Sequence, residues 1–388
     1  MEKRLSKQHI HPREGLPRLM EKLMRKELVT VAFLGGSITE GYGASDPDKT
    51  SWRALTERYF MEKHPDMLWS FVNAGVGGTN SSFGAHRLRR HVFLDGAVDL
   101  LFVEFAVNDG QKRLRSPEGA AETIRGMEGI VRQCRTLSPS ADIVLLYSAD
   151  ADNMAESEPF FIAAHEKVAS HYGLPSVSFV GGVREWMEKG GAWESLAPDG
   201  VHPNDSGYAF YAALLCEFLD LALGAVEERP LEGETTVKWG GRSRVLPAPL
   251  REDNYDRASM LSAIEASMTV GMDWSGRPAD TVNWRYSAGH WAADGEGGTI
   301  AFETKGRGAG LLLLCGPDTG IFEYSVNGEP FREYDPFDEW CPLFYRPVMI
   351  PLVSFGGESN IRIVARSTSR RNGCSKGFGF RVLGLLRH

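Results

Sequence analysis

The stretch Val31-Ala32-Phe33-Leu34-Gly35-Gly36-Ser37-Ile38-Thr39-Glu40-Gly41 decides how the rest of the chain is read. An apolar run of strand type ends in two glycines, then a serine, then polar residues that lead toward a helix. That is the layout of a hydroxyl held at the carboxyl end of a strand, where open α/β sheets place their ligands. Glycine permits the sharp turn and leaves no side chain in front of the Ser37 oxygen. Taken alone, the stretch is more simply an ordinary βα turn capped by Ser37. The residues around it have to decide whether Ser37 is a nucleophile.

Working outward, a helical period covers residues 12 to 28, with Leu16, Leu19, Met20, Leu23, Met24 and Leu28 spaced by charges. A strand over Val29–Leu34 leads into the quoted turn, and a helix from Trp52 to about Glu62 ends before His64-Pro65-Asp66. The second strand, Leu68–Asn73, enters the glycine turn Ala74-Gly75-Val76-Gly77-Gly78-Thr79-Asn80. The helix after it, about Ser82 to Phe93, carries Arg87, Arg89 and Arg90 and reads as a solvated basic face. A nearly continuous apolar run, Leu100–Val107, suits a strand covered on both faces and stops at Asn108-Asp109-Gly110. Further strands are expected at Asp142–Tyr147 and Ser176–Phe179, with helices at Pro117–Leu137, Glu156–His171, Val183–Lys189 and Ser206–Leu223. Strands alternating with helices over about 200 residues indicate a doubly wound, parallel, five-stranded α/β sheet.

The pattern changes at Ala225-Val226-Glu227-Glu228-Arg229-Pro230-Leu231-Glu232-Gly233-Glu234, which reads as a linker over residues 225–236. Residues 1–224 then form the α/β domain and 237–388 a second, all-β domain. In the second, short β-type runs are expected at Ser267–Gly271, Val282–Tyr286, Thr299–Thr304, Leu311–Cys315, Phe322–Val326, Val348–Phe355, Asn360–Ala365 and Gly379–Leu385. A weak helical candidate lies near Ala258–Ala266, and Asn327-Gly328 is a hairpin signal. Eight short strands with glycine-rich turns suggest a β-sandwich of jelly-roll type.

Composition bounds the function. At 388 residues, 42% hydrophobic and 24% charged, the chain suits two or three globular domains with sizeable cores. A net charge of -8 argues against nucleic acid or an anionic membrane as partner. The five cysteines, Cys134, Cys216, Cys315, Cys341 and Cys374, are odd in number and contain no CxxC pair, which suits free thiols in a reducing compartment. Met1 to Arg13 lacks a signal-peptide core and no apolar run reaches the ~18 residues of a membrane span, so the cytoplasm is the expected location. His9 and His11 flank Ile10 with no further ligand type beside them, so neither a metal nor another cofactor is expected.

Three features sit at the carboxyl ends of three expected strands: Ser37, the Gly77-Gly78 turn and Asn108. A fourth, Asp199-Gly200-Val201-His202, precedes the last helix. A serine is a poor nucleophile and needs a base, here a histidine oriented by a carboxylate. The three-residue spacing lets Asp199 reach Nδ1 of His202 while Nε2 faces Ser37. The Ser37 and Gly78 amides and the Asn108 side chain can supply oxyanion donors. Each piece alone has a plainer reading as a turn, a cap or a loop histidine. Jointly those readings are strained, because every one must place a polar group at a strand end in one domain.

The four blocks Gly35-Gly36-Ser37-Ile38, Asn73-Ala74-Gly75-Val76-Gly77-Gly78, Ala106-Val107-Asn108-Asp109 and Asp199-Gly200-Val201-His202 resemble those of the SGNH, or GDSL-type, esterases and lipases. The resemblance covers about residues 25–222 and implies a flavodoxin-like hydrolase fold. It implies Ser37 as nucleophile, His202 as base, Asp199 as orienter, and Ser37, Gly78 and Asn108 as the oxyanion hole. Two positions depart from the family pattern: Gly36 stands where an aspartate is usual, and Ala106 where a glycine is usual. With the β-domain, the chain resembles two-domain acetylesterases acting on plant saccharides. The implied activity is removal of acetyl groups from a small-molecule or oligosaccharide ester, with a homo-oligomer compatible with the family. A general short-chain carboxylesterase or lysophospholipase, and a non-catalytic sugar-binding protein, are the alternatives. Trp340, Phe344 and Tyr345, in an aromatic and acidic segment, are candidates for stacking on a sugar or for a lid over the catalytic cleft, or else core and edge packing of the β-domain.

Overall fold

The structure, a computed structural model, describes residues 7–112, 114–227 and 246–388. The chain divides into two compact units, Met1–Asp256 and Arg257–His388.

In the first unit, β1 (Ile10–His11), α1 (Pro17–Arg25), β2 (Val29–Gly35), α2 (Ser37–Glu40), α3 (Trp52–Lys63), β3 (Trp69–Gly75) and α4 (Ser81–His91) follow one another. Then come β4 (Leu100–Glu104), α5 (Ala106–Lys112), α6 (Pro117–Leu137), β5 (Asp142–Tyr147), α7 (Ala151–Ala155), α8 (Phe160–His171), β6 (Ser176–Ser178), α9 (Phe179–Glu188) and α10 (Asp205–Glu227). The sheet order is β1-β6-β5-β4-β2-β3, and β2 to β6 are parallel. It has six strands rather than the expected five, because Ile10 and His11 pair antiparallel with Val177 and Ser176. A two-residue edge strand leaves no periodicity to read.

Strands β2, β4 and β5 are apolar without alternation because helices cover both faces of the sheet. Val31, Phe33, Leu101, Phe102, Val144 and Leu145 are all fully buried. Helix α10 packs against α3 and α9 in one layer, and α6 against α4 and α8 in the other. Over Asp205–Gly224, α10 is long and apolar enough to cross a membrane, against the expectation that no segment would be. Half of that span is buried within the unit, Tyr208, Tyr211, Leu215 and Phe218 completely. It serves as a core helix.

The register brings the carboxyl ends of the middle strands level. Gly35 pairs with both Gly75 and Glu104. The chain leaves β2 for β3 on one side and returns to β4 on the other, so a crevice opens above β2, the switch point of the sheet. Strand β4 stops at Glu104 rather than Val107, and Asn108 lies in α5 rather than in a turn. The last helix starts at Asp205 and continues to Glu227, through the first residues of the expected linker. From residue 228 that linker lies outside the described residues, as do residues 237–245 of the expected β-domain. Residues 246–256 pack on α6 of the first unit: the buried Glu128 carboxylate accepts the amides of Leu250 (2.6 Å) and Arg251 (2.9 Å).

The second unit is built from β7 (Ser259–Ser262), β8 (Met268–Val270), β9 (Asp273–Ser275), β10 (His290–Asp294), β11 (Thr299–Cys315), β12 (Gly320–Val326), β13 (Arg332–Tyr334), β14 (Arg346–Arg371) and β15 (Gly379–Arg387). All ladders between these strands are antiparallel. Two pairs of expected strands are halves of β11 and β14, which run on through the glycines read as turns. Their register slips between Gly306 and Gly308, where the partner moves from Ser359 to Ser354, so both strands bend there. Phe302, Ile363 and Phe322 before the bend share one buried cluster with Leu311, Ile350 and Phe380 beyond it. The inner faces of the two halves thus pack as a β-sandwich. The expected helix near Ala258–Ala266 is β7 and a 3-10 turn, and Val282–Tyr286 forms no strand.

Candidate active site

Ser37 follows Gly36, the N-cap of α2, so its amide belongs to the unpaired donors of a first helical turn. The Ser37 hydroxyl lies 2.9 Å from Nε2 of His202. Nδ1 of His202 lies 2.7 Å from Oδ2 of Asp199. A carboxylate only accepts, so Nδ1 carries the hydrogen and Nε2 is left to accept from Ser37. The other carboxylate oxygen of Asp199 accepts the amides of Val201 (2.9 Å) and His202 (2.7 Å). That Asx-type turn is why three-residue spacing works: it folds the carboxylate back onto the imidazole. Burial alone would raise the Asp199 carboxyl, but the His202 ring and these amides outweigh it and hold the group below its ordinary value. Asp199 therefore stays ionised beside the histidine. The structure brings Ser37, His202 and Asp199 together in one hydrogen-bonded line.

Gly78 has φ of +69°, a conformation that other residues adopt only with strain, and is exposed between the buried Gly77 and Thr79. Its turn is lashed to the serine segment. The Val76 amide donates to Gly35 O (3.0 Å) and the Gly77 amide to Oε2 of Glu40 in α2 (2.7 Å). Asn108 is 5% exposed, with its side chain against the backbone of Gly36. A Cβ at Gly36 would fall 1.8 Å from Oδ1 of Asn108. Glycine at this position, where the family pattern has an aspartate, is the residue that lets Asn108 lie one step from the serine.

Four supporting residues escape sequence reasoning in the roles they take. Arg87 is completely buried and donates to the carbonyls of Ala74 (2.6 Å) and Gly35 (2.8 Å), joining the ends of β3 and β2. It was expected on a solvated face, and only Arg89 of its three arginines is exposed. Asp109, also completely buried, accepts the amide and hydroxyl of Ser81 and approaches Nε2 of His165 at 2.8 Å. It thereby ties α5, which carries Asn108, to α4 and α8. Glu40 holds the glycine turn, as above. Glu104 accepts from the Thr39 hydroxyl at 3.0 Å beneath the Ser37 turn. Burial raises its carboxyl to about 7 against hydrogen bonds that favour the charged form. A glutamate inside the run Leu100–Val107 was the signal available for it.

In the second unit, Trp340 is 43% exposed with its ring stacked near Phe344, at 6.3 Å between centroids. Tyr345 is partly buried, and its hydroxyl donates to Asp318 (2.8 Å). All five cysteines are free thiols, and Cys134, Cys315 and Cys341 are buried.

A serine at the end of β2, lined up with a histidine and an aspartate from the loop before α10 on a doubly wound sheet, is the arrangement of a serine hydrolase. Residues 33–210 match the model of the GDSL-like Lipase/Acylhydrolase family. Among solved structures the chain is similar to a two-domain esterase, CEX, active on acetylated mannans and co-crystallised with mannopentaose. The two share 23% identity over 98% of this chain and 96% of that one, with a TM-score of 0.79. A second structure of a two-domain esterase active on acetylated mannans gives 21% identity over 98% and 97%, with a TM-score of 0.77. This likeness shows that both domains share that fold. No curated protein matches the sequence.

Proposed function

We propose that this chain is a serine esterase that removes acetyl groups from acetylated oligosaccharides through an acyl-enzyme. The observation that carries the reading is the line of hydrogen bonds from Ser37 through His202 to Asp199, 2.9 and 2.7 Å long. Ser37 Oγ attacks the ester carbonyl while Nε2 of His202 takes its proton, and Asp199 stabilises the imidazolium that forms. The amides of Ser37 and Gly78 and the side-chain amide of Asn108 are the donors for the developing oxyanion. When the tetrahedral intermediate collapses, the bond to the alcohol oxygen breaks and the alcohol leaves with the proton from Nε2. Water, deprotonated by the same nitrogen, then attacks the acetyl-serine and releases acetate.

Support for a saccharide ester comes from the two-domain fold, shared with esterases that act on acetylated mannans. The test is hydrolysis of p-nitrophenyl acetate by wild type and Ser37→Ala, followed by acyl esters of increasing length and by acetylated oligosaccharides. Loss of the nucleophile lowers kcat by about a thousandfold or more. Equal, negligible rates for both proteins would sink the enzyme reading, and rates that climb with acyl length would replace the sugar ester with a general carboxylic ester.

A further inference from the structure

The loop after Ser37 carries a large aromatic residue that the chemistry above does not use. Tyr42 is 59% exposed, yet its ring lies 4.5 Å, centroid to centroid, from the imidazole of His202. Exposed aromatic side chains cost solvation, and the backbone that carries this one is held in place from several directions. Its amide donates to the carbonyl of Ser37 (2.9 Å), and its carbonyl accepts from the hydroxyl of the buried Tyr208 in α10 (2.6 Å). Three residues on, Ser45 donates to Asp205 through both its amide (2.8 Å) and its hydroxyl (2.5 Å), and Thr50 adds a third bond to that carboxylate at 2.7 Å. Gly43 lies so close to His202 and Pro203 that a Cβ there would sit 2.6 Å from Pro203 O. The Tyr42 backbone is thus pinned both to the serine segment and to the helix that follows the histidine loop.

Position beside His202 has a chemical meaning that rests on the esterase reading. The leaving alkoxide must collect its proton from Nε2, so the alcohol departs from within hydrogen-bond reach of that nitrogen, about 2.6–3.2 Å. A ring on a pinned backbone that touches the imidazole and faces solvent borders the space the alcohol occupies. The C–H faces of a pyranose are flat and apolar enough to lie on an aromatic ring, whereas an open-chain polyol presents no such face. We infer that Tyr42 forms the leaving-alcohol subsite and selects esters of pyranosides by stacking under the sugar ring.

Inhibition of p-nitrophenyl acetate hydrolysis by the free alcohols tests this, since a deacetylated product occupies that subsite. The probes are methyl β-D-glucopyranoside, mannobiose and xylobiose, with glycerol as the ringless control. At least one pyranoside inhibits wild type more strongly than glycerol. Its inhibition constant rises about tenfold in Tyr42→Ala, the scale of one lost stacking ring, and returns toward wild type in Tyr42→Phe and Tyr42→Trp. An inhibition constant unchanged in Tyr42→Ala while kcat falls would overturn the inference and leave Tyr42 as packing for His202. So would a wild type that no pyranoside inhibits better than glycerol. Failure of the esterase reading shows itself separately, as a wild type no faster than Ser37→Ala.

Discussion

Glu104 sits one strand from Gly35, buried below the turn that carries Ser37, with one carboxylate oxygen accepting from Thr39. Burial lifts its carboxyl from an ordinary 4.5 to about 7, so the folded protein holds this proton more tightly than the unfolded chain does. Its contribution to stability is therefore complete below about pH 4.5 and is lost as the pH climbs to about 7. Glu104→Gln keeps the neutral shape and an acceptor for Thr39 but cannot ionise. In urea unfolding, the variant should gain on wild type between pH 4.5 and pH 8. A stability difference that ignores pH would show that Glu104 does not titrate in this window. At this scale, Ser37, Asp199, His202 and Asn108 were legible because each stands in a short block with a local turn signature. Glu104, Asp109 and Arg87 were not, since what makes them matter is burial against residues distant in the chain. The local sequence around Arg87, with Arg89 and Arg90 close behind, looks like any solvated helix face.

Helix α4 shows what that arginine does for the element that carries it. Strands β2 and β3 end level at Gly35 and Gly75, and the guanidinium of Arg87 gathers the Gly35 and Ala74 carbonyls just where the ladder stops. Thr79 Oγ1, in the glycine turn, is a third acceptor at 3.4 Å. Arg87→Leu would remove the guanidinium bonds to both carbonyls and leave Gly35 O with the Val76 amide, at about 1.5–3 kcal/mol for each hydrogen bond to a charged group that is lost. We expect a lower Tm and a reduced kcat for p-nitrophenyl acetate, because the turn holding Gly78 loses one of its anchors to β2 and keeps the Val76 and Gly77 amide bonds. Wild-type values for both would show the clamp to be dispensable. Elements of the first unit were legible within a few residues wherever a strand is covered on both faces or a helix has a cap, as Ser116 caps α6 and Ser51 caps α3. The second unit resisted for a physical reason. A glycine can end a strand or let it bend, and in β11 and β14 only pairing with the neighbouring strand decides which. The short strands β7, β9 and β13 owe their conformation to a partner and carry no pattern of their own.

On the scale of the whole chain, the sequence placed the change of character after residue 224, whereas the compact units divide after Asp256. Residues 246–256 carry no periodicity that would assign them to either side, and their place is set by contacts with α6. Gln133 donates to the carbonyls of both Tyr255 (2.8 Å) and Ala85 (2.9 Å), Tyr255 donates to Glu122 (2.7 Å), and Arg125 pairs with Asp253. The Glu128 carboxylate, completely buried, depends on the Leu250 and Arg251 amides and the Tyr172 hydroxyl for its partners. Removing two of three donors from a buried charge is expensive, so this segment should act as a strap on the hydrolase unit rather than as a passive tether. A chain ended after Asp256 should accordingly melt at least about 5 °C above one ended after Glu227, since about 1 kcal/mol moves Tm by 2–4 °C at this size. The same strap can be loosened inside the full chain, where Gln133→Leu removes the bonds to Tyr255 and Ala85 without touching a residue of the site. That variant should unfold at lower temperature while a molecule still folded keeps its kcat on p-nitrophenyl acetate. Equal melting of the two shortened chains, together with an unaltered Tm for Gln133→Leu, would show that residues 246–256 lie on α6 without supporting it.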